Sequence, residues 1–541
     1  MSASEPQAPV PPAPPPPAAP VSTWAPLRAP VFRTLWIAVL ASNIGTWMQT
    51  VGAQWLLVDE ANDAVVALVQ TASFLPVLLL ALPSGALADA LDRRRLLLAV
   101  QAYLVAVGAV LTALTAAGLM PPALLLVLTF ALGVGQALTL PAWQALIPEL
   151  VPRDQLVSAS ALGSISVNLA RAVGPAVAGL LVTEVGVAAV FGLNTLSFAV
   201  FGVALLLWRS GARRADGEPE RFAAAVRAGG RFVRHSPRVR RILLRAVLFI
   251  VPGSALWALL PLVASRRLGL DSGGYGVLLA ALGVGAIAGA VVLPRVRARA
   301  STNDLLLGAG LVYGLALLAL VLSRSEALVV VGLLGAGAAW MTVLTSVNAA
   351  MQLFLPQWVR ARGLAVYSIV IAAGQGLGAL AWGALAETAG LVAAHLVAAG
   401  LVVAGAATVR AWPLRDLPDL DRGPVEYWPE PHLVVDADPQ AGPVLITSTY
   451  TVPPQREAEF VEAMEVVRRS RQRSGASRWG LFRDGERAHR FVEVFLVPSW
   501  EEHLRQHEVR LTAADQAVEE RARALADGEP VVAHLLPVDR S

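Results

Sequence analysis

Arg171 has the setting that most favours a chemical role, because it lies in the middle of a long apolar stretch. An arginine at the centre of a bilayer costs about 2.5–3.5 kcal/mol on insertion scales, so its side chain should face a protein interior or a wet cavity. Two interpretations stay open. Either Arg171 contacts a substrate or a coupling ion, or it makes a structural bond to backbone carbonyls or to a neighbour such as Asn168.

A polar face lies on the first apolar segment. Asn43, Thr46 and Thr50 are spaced i, i+3 and i+7, which places them on one side of a helix. Amide groups in lipid need internal partners, so we predict that this face lines a central pathway. The amide side chains predicted to contact substrate or coupling ion beside Arg171 are Asn43, Gln49, Gln54, Gln136, Asn168 and Asn194. For any single one of them, an interhelical hydrogen bond is the alternative.

A basic stretch that contains carboxylates joins the second and third apolar segments. It reads Gly85-Ala-Leu-Ala-Asp89-Ala-Leu-Asp-Arg93-Arg94-Arg. A glycine permits close helix packing, and a carboxylate flanked by guanidinium groups can form a charge latch that breaks and re-forms. We predict that Gly85, Asp89, Arg93 and Arg94 govern an inner gate. The alternative is a basic loop without a gating role.

This stretch resembles the loop signature of the major facilitator superfamily, Gly-x-Leu-Ala-Asp-Arg-x-Gly-Arg-Arg. Ala90 and Asp92 depart from that pattern. The resemblance implies a latch that holds the inner face closed while the outer face opens. The loss of the usual arginine at position 90 weakens one arm of the latch.

A second motif follows Arg171 and centres on Gly174, Pro175 and Gly179. It resembles the Gly-Pro motif of the antiporter branches of the same superfamily, although alanine replaces several of the usual glycines. Small residues let this helix approach a neighbour closely, and Pro175 removes one backbone hydrogen bond. We therefore predict a helix-packing role for the three residues.

The segment from the first helix to Pro175 resembles the branch of transmembrane secretion effectors that contains the bacterial enterobactin exporter. The residues that carry this resemblance are Trp36, Asn43-Ile-Gly-Thr-Trp47-Met-Gln49, Pro141-Ala-Trp143-Gln144-Ala-Leu-Ile-Pro148-Glu149 and the motif around Arg171. It covers about residues 25–412 and implies export of siderophores and other small molecules. The proton-relay arginine that drug exporters of the superfamily carry before the run Gly133-Val-Gly135 is missing, which leaves the driving ion open.

The elements that must position these residues are membrane helices. Apolar residues make up 56% of the chain, charged residues 15%, and the mean hydropathy is +0.60, whereas a soluble domain averages about 25% charged residues. About 20 helical residues cross a hydrocarbon layer. Twelve such segments are predicted, at about 32–58, 65–88, 95–117, 121–144, 158–183, 187–208, 242–265, 273–294, 303–322, 327–350, 362–387 and 390–411.

The arginines set the predicted orientation. With a cytoplasmic N-terminus, the inner loops hold 19 arginines and the outer loops three, as the positive-inside rule requires. We predict a multi-pass protein of the bacterial inner (plasma) membrane with both termini cytoplasmic.

The predicted organisation is two six-helix halves with cytoplasmic extensions. The all-α membrane body has the major facilitator fold, and a small soluble α+β domain of ferredoxin-like type follows it. The predicted boundaries are a disordered Pro/Ala-rich tail at 1–30, the halves at 31–209 and 242–412, cytoplasmic linkers at 210–241 and 413–442, and the soluble domain at 443–541.

The order of strands and helices after residue 443 is βαββαβ, with one long helix from the capping box at Ser499 to about Ala526. This region resembles antibiotic-biosynthesis-monooxygenase domains, which commonly pair into a dimeric α/β barrel. We therefore interpret it as a dimerisation domain that would give a homodimer, or alternatively as a regulatory domain. Oxygenases of that family often use an asparagine with a tryptophan, and no asparagine follows Trp412. The i, i+4 pair His503 and His507 permits metal binding, but acidic neighbours favour a solvated helix face, and no metal site is predicted.

Several classes of function are excluded. The chain has no cysteine, hence no thiolate metal site or cysteine nucleophile. It carries no GxxxxGK[ST] motif, and neither a cofactor nor a nucleic-acid partner is predicted. The prediction is a secondary transporter in the lipid bilayer that exports a small amphipathic molecule by alternating access, with proton coupling. An importer of the same fold and a membrane-tethered monooxygenase are the alternatives.

Overall fold

The computed structural model describes residues 22, 24–58, 60–208, 222–414, 427–428, 433–435 and 438–538. Six long helices form the first half of the membrane body: α1 (Pro30–Leu57), α2 (Asp63–Ala90), α3 (Arg93–Ala116), α4 (Pro122–Leu150), α5 (Leu156–Glu184) and α6 (Val187–Leu207). After the linker helix α7 (Phe222–His235) come the six helices of the second half: α8 (Pro237–Leu262), α9 (Ser272–Arg297), α10 (Thr302–Leu322), α11 (Glu326–Phe354), α12 (Gln357–Ala389) and α13 (Leu391–Ala407).

The helices of both halves lie where the sequence predicts membrane spans. Ten of the helices that the structure describes are long and apolar enough to cross a membrane. The other two differ for clear reasons: α1 carries the polar face, and α13 has only 17 residues. The fold class predicted for the membrane body is confirmed.

We name the end of the bundle where α1 begins and α13 ends the proximal end, and the opposite end the distal end. The two halves are tied together at the distal end. Arg266, after α8, forms an ion pair with Asp63 and also donates to the carbonyls of Val58 and Ala61. Near the bundle centre, Gln54 of α1 also joins the halves through hydrogen bonds to Trp257 and Tyr275.

Close backbone approach makes distal contact between the halves possible. A Cβ on Gly179 of α5 would lie 2.4 Å from the Cα of Gly276 of α9, so only glycine fits this crossing. Next to it, the Thr183 and Ser272 hydroxyls are 2.8 Å apart. These small residues bring the two halves together at the distal end.

The predicted linker 210–241 contains a helix that the sequence analysis did not foresee. In α7, Phe232 is buried and its ring lies 5.6 Å from that of Trp358 at the start of α12. The apolar face of α7 therefore packs on the second half of the membrane body.

The C-terminal domain is a four-stranded antiparallel sheet with helices on one face. Its elements are β1 (Val444–Thr451), α14 (Glu457–Ser474), β2 (Arg478–Arg483), β3 (Arg490–Val497), α15 (Trp500–Arg505), α16 (Ala513–Arg523) and β4 (Val531–Leu535). The strand order β2-β3-β1-β4 is that of a ferredoxin-like unit, so this prediction is also confirmed.

The prediction of one helix from Ser499 to Ala526 is wrong. A π-helical turn, Gln506–Arg510, ends α15, and a new helix begins after Thr512. The Thr512 hydroxyl accepts from the Asp515 backbone, and the Asp515 carboxylate accepts in return from the Thr512 amide and hydroxyl. This second capping box starts α16, and the sequence analysis overlooked it.

Candidate functional site

A cavity of about 580 Å³ lies in the proximal part of the first half. It is formed by the first half of α1, the second half of α4 and the first half of α5. Three of the predicted substrate residues line it, namely Asn43, Gln136 and Asn168. Trp36 and Trp143 add aromatic surface to the same wall. The cavity thus combines amide groups with aromatic and aliphatic surface.

Hydrogen bonds between helices hold the amide groups of this cavity. The Asn43 amide donates to the Ser166 hydroxyl at 3.0 Å, and the Gln136 amide donates to the Thr46 hydroxyl at 3.1 Å. Asn168 instead donates to the Ser164 carbonyl of its own helix. These bonds use an N–H of each amide, and no bond to their side-chain carbonyl oxygens is found among the described residues, so those oxygens can accept from a ligand.

The other predicted amides lie deeper, outside the cavity lining. The buried Asn194 of α6 donates to the Gln49 carbonyl oxygen of α1. Gln54 joins the halves, because it donates to the Trp257 carbonyl at 3.2 Å and accepts from the Tyr275 hydroxyl at 3.3 Å. For these three amides, the structure shows the interhelical hydrogen bond that was the alternative to substrate contact.

Arg171 lies one helical turn beyond Asn168, toward the distal end. Its guanidinium is 5.1 Å from the centre of the Trp47 ring, and Tyr367 of α12 is near enough to interact with its charge. Its Nε is buried without a hydrogen-bond partner among the described residues. A cation–π contact contributes about 0.5–2 kcal/mol, less than the insertion cost of the charge. No hydrogen bond to Asn168 is present in the described part of the chain, so Asn168 is not the structural partner of Arg171, and its substrate role stays a prediction.

A second arginine lies inside a span. Arg245 of α8 is only 6% exposed, and the sequence analysis did not single it out. Arg245 donates to the Thr408 hydroxyl and carbonyl at 2.6 and 2.9 Å and to the Trp412 carbonyl at 2.6 Å. It therefore caps the C-terminus of α13, where unpaired carbonyls favour a cation.

From the predicted gate motif, the surroundings of Gly85 and the side chain of Asp89 lie outside what the structure describes. The Arg93 guanidinium forms an ion pair with Glu149 of α4 at 2.7 Å. Arg94 donates to the carbonyls of Leu205 and Leu206 at the end of α6. The sequence analysis missed Glu149 as a partner, although the carboxylate lies in one of the quoted motifs.

The Gly-Pro motif lies where α5 crosses two neighbours. A Cβ on Gly174 would lie 2.7 Å from the Trp47 Cβ of α1, and Gly179 faces Gly276 of α9 as described above. Pro175 lies inside α5, which continues past it to Glu184. The motif thus sets how closely α5 approaches both halves.

A buried ionic network fills the interior of the C-terminal domain. Arg471 donates to Glu493 at 3.0 Å and pairs with Glu519. Trp479 and Trp428 donate to the same two carboxylates, each at 2.9 Å. Burial alone would lower the pKa of Arg471, but the carboxylates raise it overall, and burial raises the pKa of Glu519. The arginine is therefore a permanent cation that holds the sheet to its helices.

Three of the seven histidines of the chain meet between α15 and β4. His503 is only 1% exposed, and its ring lies 5.3 Å from that of Trp500. Burial, with the nearby His507 and His534, lowers the pKa of His503 to about 3; burial and His534 lower that of His507 to about 4. The expected solvated helix face is therefore wrong, because α15 turns His503 inward against the sheet.

The C-terminal domain docks on α7 and α12. Arg231 of α7 pairs with Glu502 at 3.4 Å, and Arg510 binds Glu502 through two hydrogen bonds of 2.6 and 3.0 Å. The Arg510 guanidinium lies 5.1 Å from the centre of the Trp358 ring. The segment that carries His503 and His507 thus also makes the docking contacts.

Solved transporters share the fold of the membrane body. A bacterial homologue of the human lysosomal transporter Spinster, in an inward-facing and unoccupied conformation, superposes with a TM-score of 0.56 at 16% identity, over 72% of this chain and 95% of its own. The nucleoside transporter NupG superposes with a TM-score of 0.55 at 14% identity, over 70% and 98%. These likenesses show the fold of the membrane body, with twelve helices in two halves among the described residues.

Residues 21–541 match the family described as transmembrane secretion effector. The chain belongs to that family. The staphyloferrin A transporter of Staphylococcus aureus is 24% identical over 280 residues, 51% of this chain and 70% of that protein. Macrolide efflux protein A of Streptococcus pyogenes is 24% identical over 237 residues, 43% of this chain and 58% of that protein. The chain therefore spans a little over half the length of the macrolide efflux protein.

Proposed function

We propose that this transporter exports a small amphipathic molecule, siderophore-like or drug-like, across the bacterial inner membrane. The observation that carries the proposal is the proximal cavity, whose wall combines the amides of Asn43 and Gln136 with the rings of Trp36 and Trp143. Its volume of about 580 Å³ suits a drug-sized ligand, since such pockets measure about 300–1,000 Å³. The names of the two relatives agree with this substrate class.

The direction rests on the orientation of the chain. The loops at the proximal end carry most of the loop arginines, which favours a cytoplasmic proximal end. The cavity then opens on the cytoplasmic side while the Arg266 contacts close the distal side. This is the state in which an exporter collects its substrate.

Alternating access requires that the distal contacts break while the proximal end closes. The ion pair between Arg266 and Asp63 is partly exposed, and such pairs contribute about 0–1 kcal/mol. A substrate that binds the cavity can therefore offset their loss. The sequence has no ATP-binding P-loop motif, so we propose that an ion gradient drives the cycle, with the proton as the first ion to test.

Uptake into inverted membrane vesicles tests the proposal. A macrolide antibiotic and a carboxylate siderophore serve as probes, with and without an imposed proton gradient. We expect accumulation of at least one probe that depends on the gradient. Asn43→Leu should reduce the initial rate, because it removes an amide from the cavity wall. Thr388→Val serves as the matched control, since this exposed hydroxyl bonds only within its own helix.

Each part of the proposal has its own contrary result. Probe uptake into right-side-out vesicles, with loss from inverted ones, would indicate import. Equal accumulation with and without the imposed proton gradient would contradict proton coupling. Equal rates for Asn43→Leu and wild type would exclude the cavity wall from substrate binding.

A further inference from the structure

The histidine cluster of the C-terminal domain has no part in the transport pathway. One ring nitrogen from each of His503, His507 and His534 lies within 4.8 Å of the other two. The Nε2 atoms of His503 and His507 are 3.2 Å apart. The rings of His503 and His534 have their centres 4.9 Å apart. Three imidazoles from two separate elements, α15 with its π turn and β4, thus converge on one point.

These distances fit a shared metal ion. Imidazole nitrogens bind Zn²⁺ at about 2.0–2.1 Å in tetrahedral geometry, which places two ligand nitrogens about 3.4 Å apart. The pair His503 and His507, with their Nε2 atoms 3.2 Å apart, is already near this separation, and the ligand nitrogen of His534 lies within 4.8 Å of both. Spacing i, i+4 on one helix is also a common arrangement for two histidine ligands.

A buried amide fixes which nitrogen of His503 faces the cluster. The Nδ1 atom of His503 lies 3.2 Å from the Gln506 carbonyl oxygen. The Gln506 amide in turn donates to the Ser474 hydroxyl at 3.3 Å, which assigns its orientation. A carbonyl oxygen only accepts, so Nδ1 carries the proton and Nε2 presents its lone pair to the cluster. Orientation of a ligating histidine through its other ring nitrogen is typical of metal sites.

We propose that His503, His507 and His534 form a binding site for a divalent transition metal that prefers imidazole ligands, with Zn²⁺ as the reference ion. His503 is buried, whereas His507 and His534 are half-buried, so an ion can enter from that side. The fourth coordination position is left for water or a small anion. The rings of Trp428 and Trp500 border the cluster.

The site lies next to the contacts that dock the domain on the membrane body. Glu502 and Arg510 come from the same segment as His503 and His507, and they contact Arg231 and Trp358. An ion that ties this segment to β4 would stiffen the docking surface. The proposal is independent of the transported substrate.

Metal binding to the purified full-length protein, with any polyhistidine tag removed, tests the site. Co²⁺ is titrated as a spectroscopic probe, because its ligand-field absorption reports tetrahedral coordination, and Zn²⁺ is then added as competitor. We expect one ion per chain, displaced by Zn²⁺. His507→Gln and His534→Gln should each weaken binding by at least about 100-fold. Gln506→Leu should weaken it by about 10–100-fold, the usual effect of removing an orienting partner.

His489→Asn is the matched control. His489 is a partly exposed histidine of the same domain that contacts Glu457, and asparagine tolerates its positive φ of 62°. Its Co²⁺ affinity should equal that of wild type. Thermal unfolding without metal verifies that each variant is folded, and Zn²⁺ should raise the unfolding temperature of the wild type and of His489→Asn only. Absence of Co²⁺ binding to the wild type would overturn the proposal. So would Co²⁺ affinities of His507→Gln and His534→Gln equal to that of wild type.

Discussion

Arg171 is held at the bundle centre by an incomplete set of contacts. The Trp47 ring supplies a cation–π interaction, but the buried Nε lacks an acceptor among the described residues. A buried donor without a partner costs about 1–3 kcal/mol. This cost supports our proposal that Arg171 contacts a ligand.

Arg171→Met should therefore separate stability from transport. We expect an unfolding temperature equal to or above that of wild type, because the variant removes the unpaired donor, together with a loss of at least about tenfold in vesicle uptake of the transported probe. Fluorescence-detected thermal unfolding and initial uptake rates check the two halves of the prediction. Arg324→Gln, at an exposed arginine, is the control. A large drop in unfolding temperature would instead support a structural role.

The Arg471 network allows a second prediction at this scale. Arg471→Met leaves the Glu493 and Glu519 carboxylates buried without their cation, which should cost about 3–5 kcal/mol of domain stability. Hydrogen exchange of the β1–β4 backbone in the full-length protein measures this. Arg468→Met, at an exposed neighbour on the same helix, should change exchange little. Unchanged protection in Arg471→Met would contradict the network's role.

The stability of Arg471→Met should depend on pH with a definite sign. Burial already raises the pKa of Glu519, and loss of Arg471 should raise it further. A carboxyl whose pKa is higher in the folded than in the unfolded state favours folding more as pH falls through the folded pKa. Acidification from neutral pH should therefore restore part of the lost protection. The wild-type domain, with its cation in place, should show a smaller effect.

At the scale of the helices, the crossing of α5 and α9 decides whether the distal end can close. Gly179→Val places two methyl groups where the Gly276 backbone lies, so the helices must separate there. We expect a Val58→Cys reporter, which is 1% exposed in wild type, to react with a maleimide at least about tenfold faster. The absence of native cysteines makes this labelling specific.

Gly163→Val is the control for this variant, because nothing lies within 4 Å of the Cβ that Gly163 lacks. Its reporter should react at the wild-type rate. If Gly179→Val also leaves labelling unchanged, the α5–α9 crossing does not control the distal end.

Helix positions could be predicted from the sequence better than helix partners. Spans follow from apolar length, and the ferredoxin-like order follows from alternating patterns, because both signals are local. The pairing of Arg266 with Asp63, or of Arg93 with Glu149, depends on which helices become neighbours, and no local pattern encodes this. The helix α7 was missed because its apolar face packs on Trp358 of α12, and the sequence does not show that these two segments are neighbours.

The histidines show the same limit in the soluble domain. His503 and His507 were placed at a solvated face because their sequence neighbours are acidic. The Glu502 carboxylate is in fact paired with Arg510 and buried. His534 comes from a strand some thirty residues later. Three-residue convergence across elements is a tertiary property. The interruption between α15 and α16, by contrast, could have been predicted from the second capping box at Thr512 and Asp515.

At the scale of the whole molecule, the outer face of the C-terminal sheet offers an apolar surface. Its half-exposed or exposed members include Phe482, Val492, Val494, Val531 and Leu535. A second copy of the same domain would cover this face, in keeping with the expected homodimer. Pairing of this kind is a proposal for which the apolar sheet face provides the support.

Val494→Arg should disrupt such a pair. A charge at the centre of the face should weaken association by about 30-fold, equivalent to about 2 kcal/mol for a central interface residue. Light scattering of the full-length protein in detergent, across a dilution series, measures this. Val466→Arg on α14, where valine is 43% exposed away from the sheet, should leave association unchanged. A wild-type protein that stays monomeric at every concentration would exclude the pairing.

The docking of the C-terminal domain has a mechanical consequence. Its named contacts lie on α7 and α12, through Arg231 and Trp358, so the domain belongs to the second half of the bundle. If two copies pair through their sheets, the two second halves and the paired domains form one rigid unit. The first half of each copy, α1 to α6, can then move relative to this unit independently of the first half of the other copy.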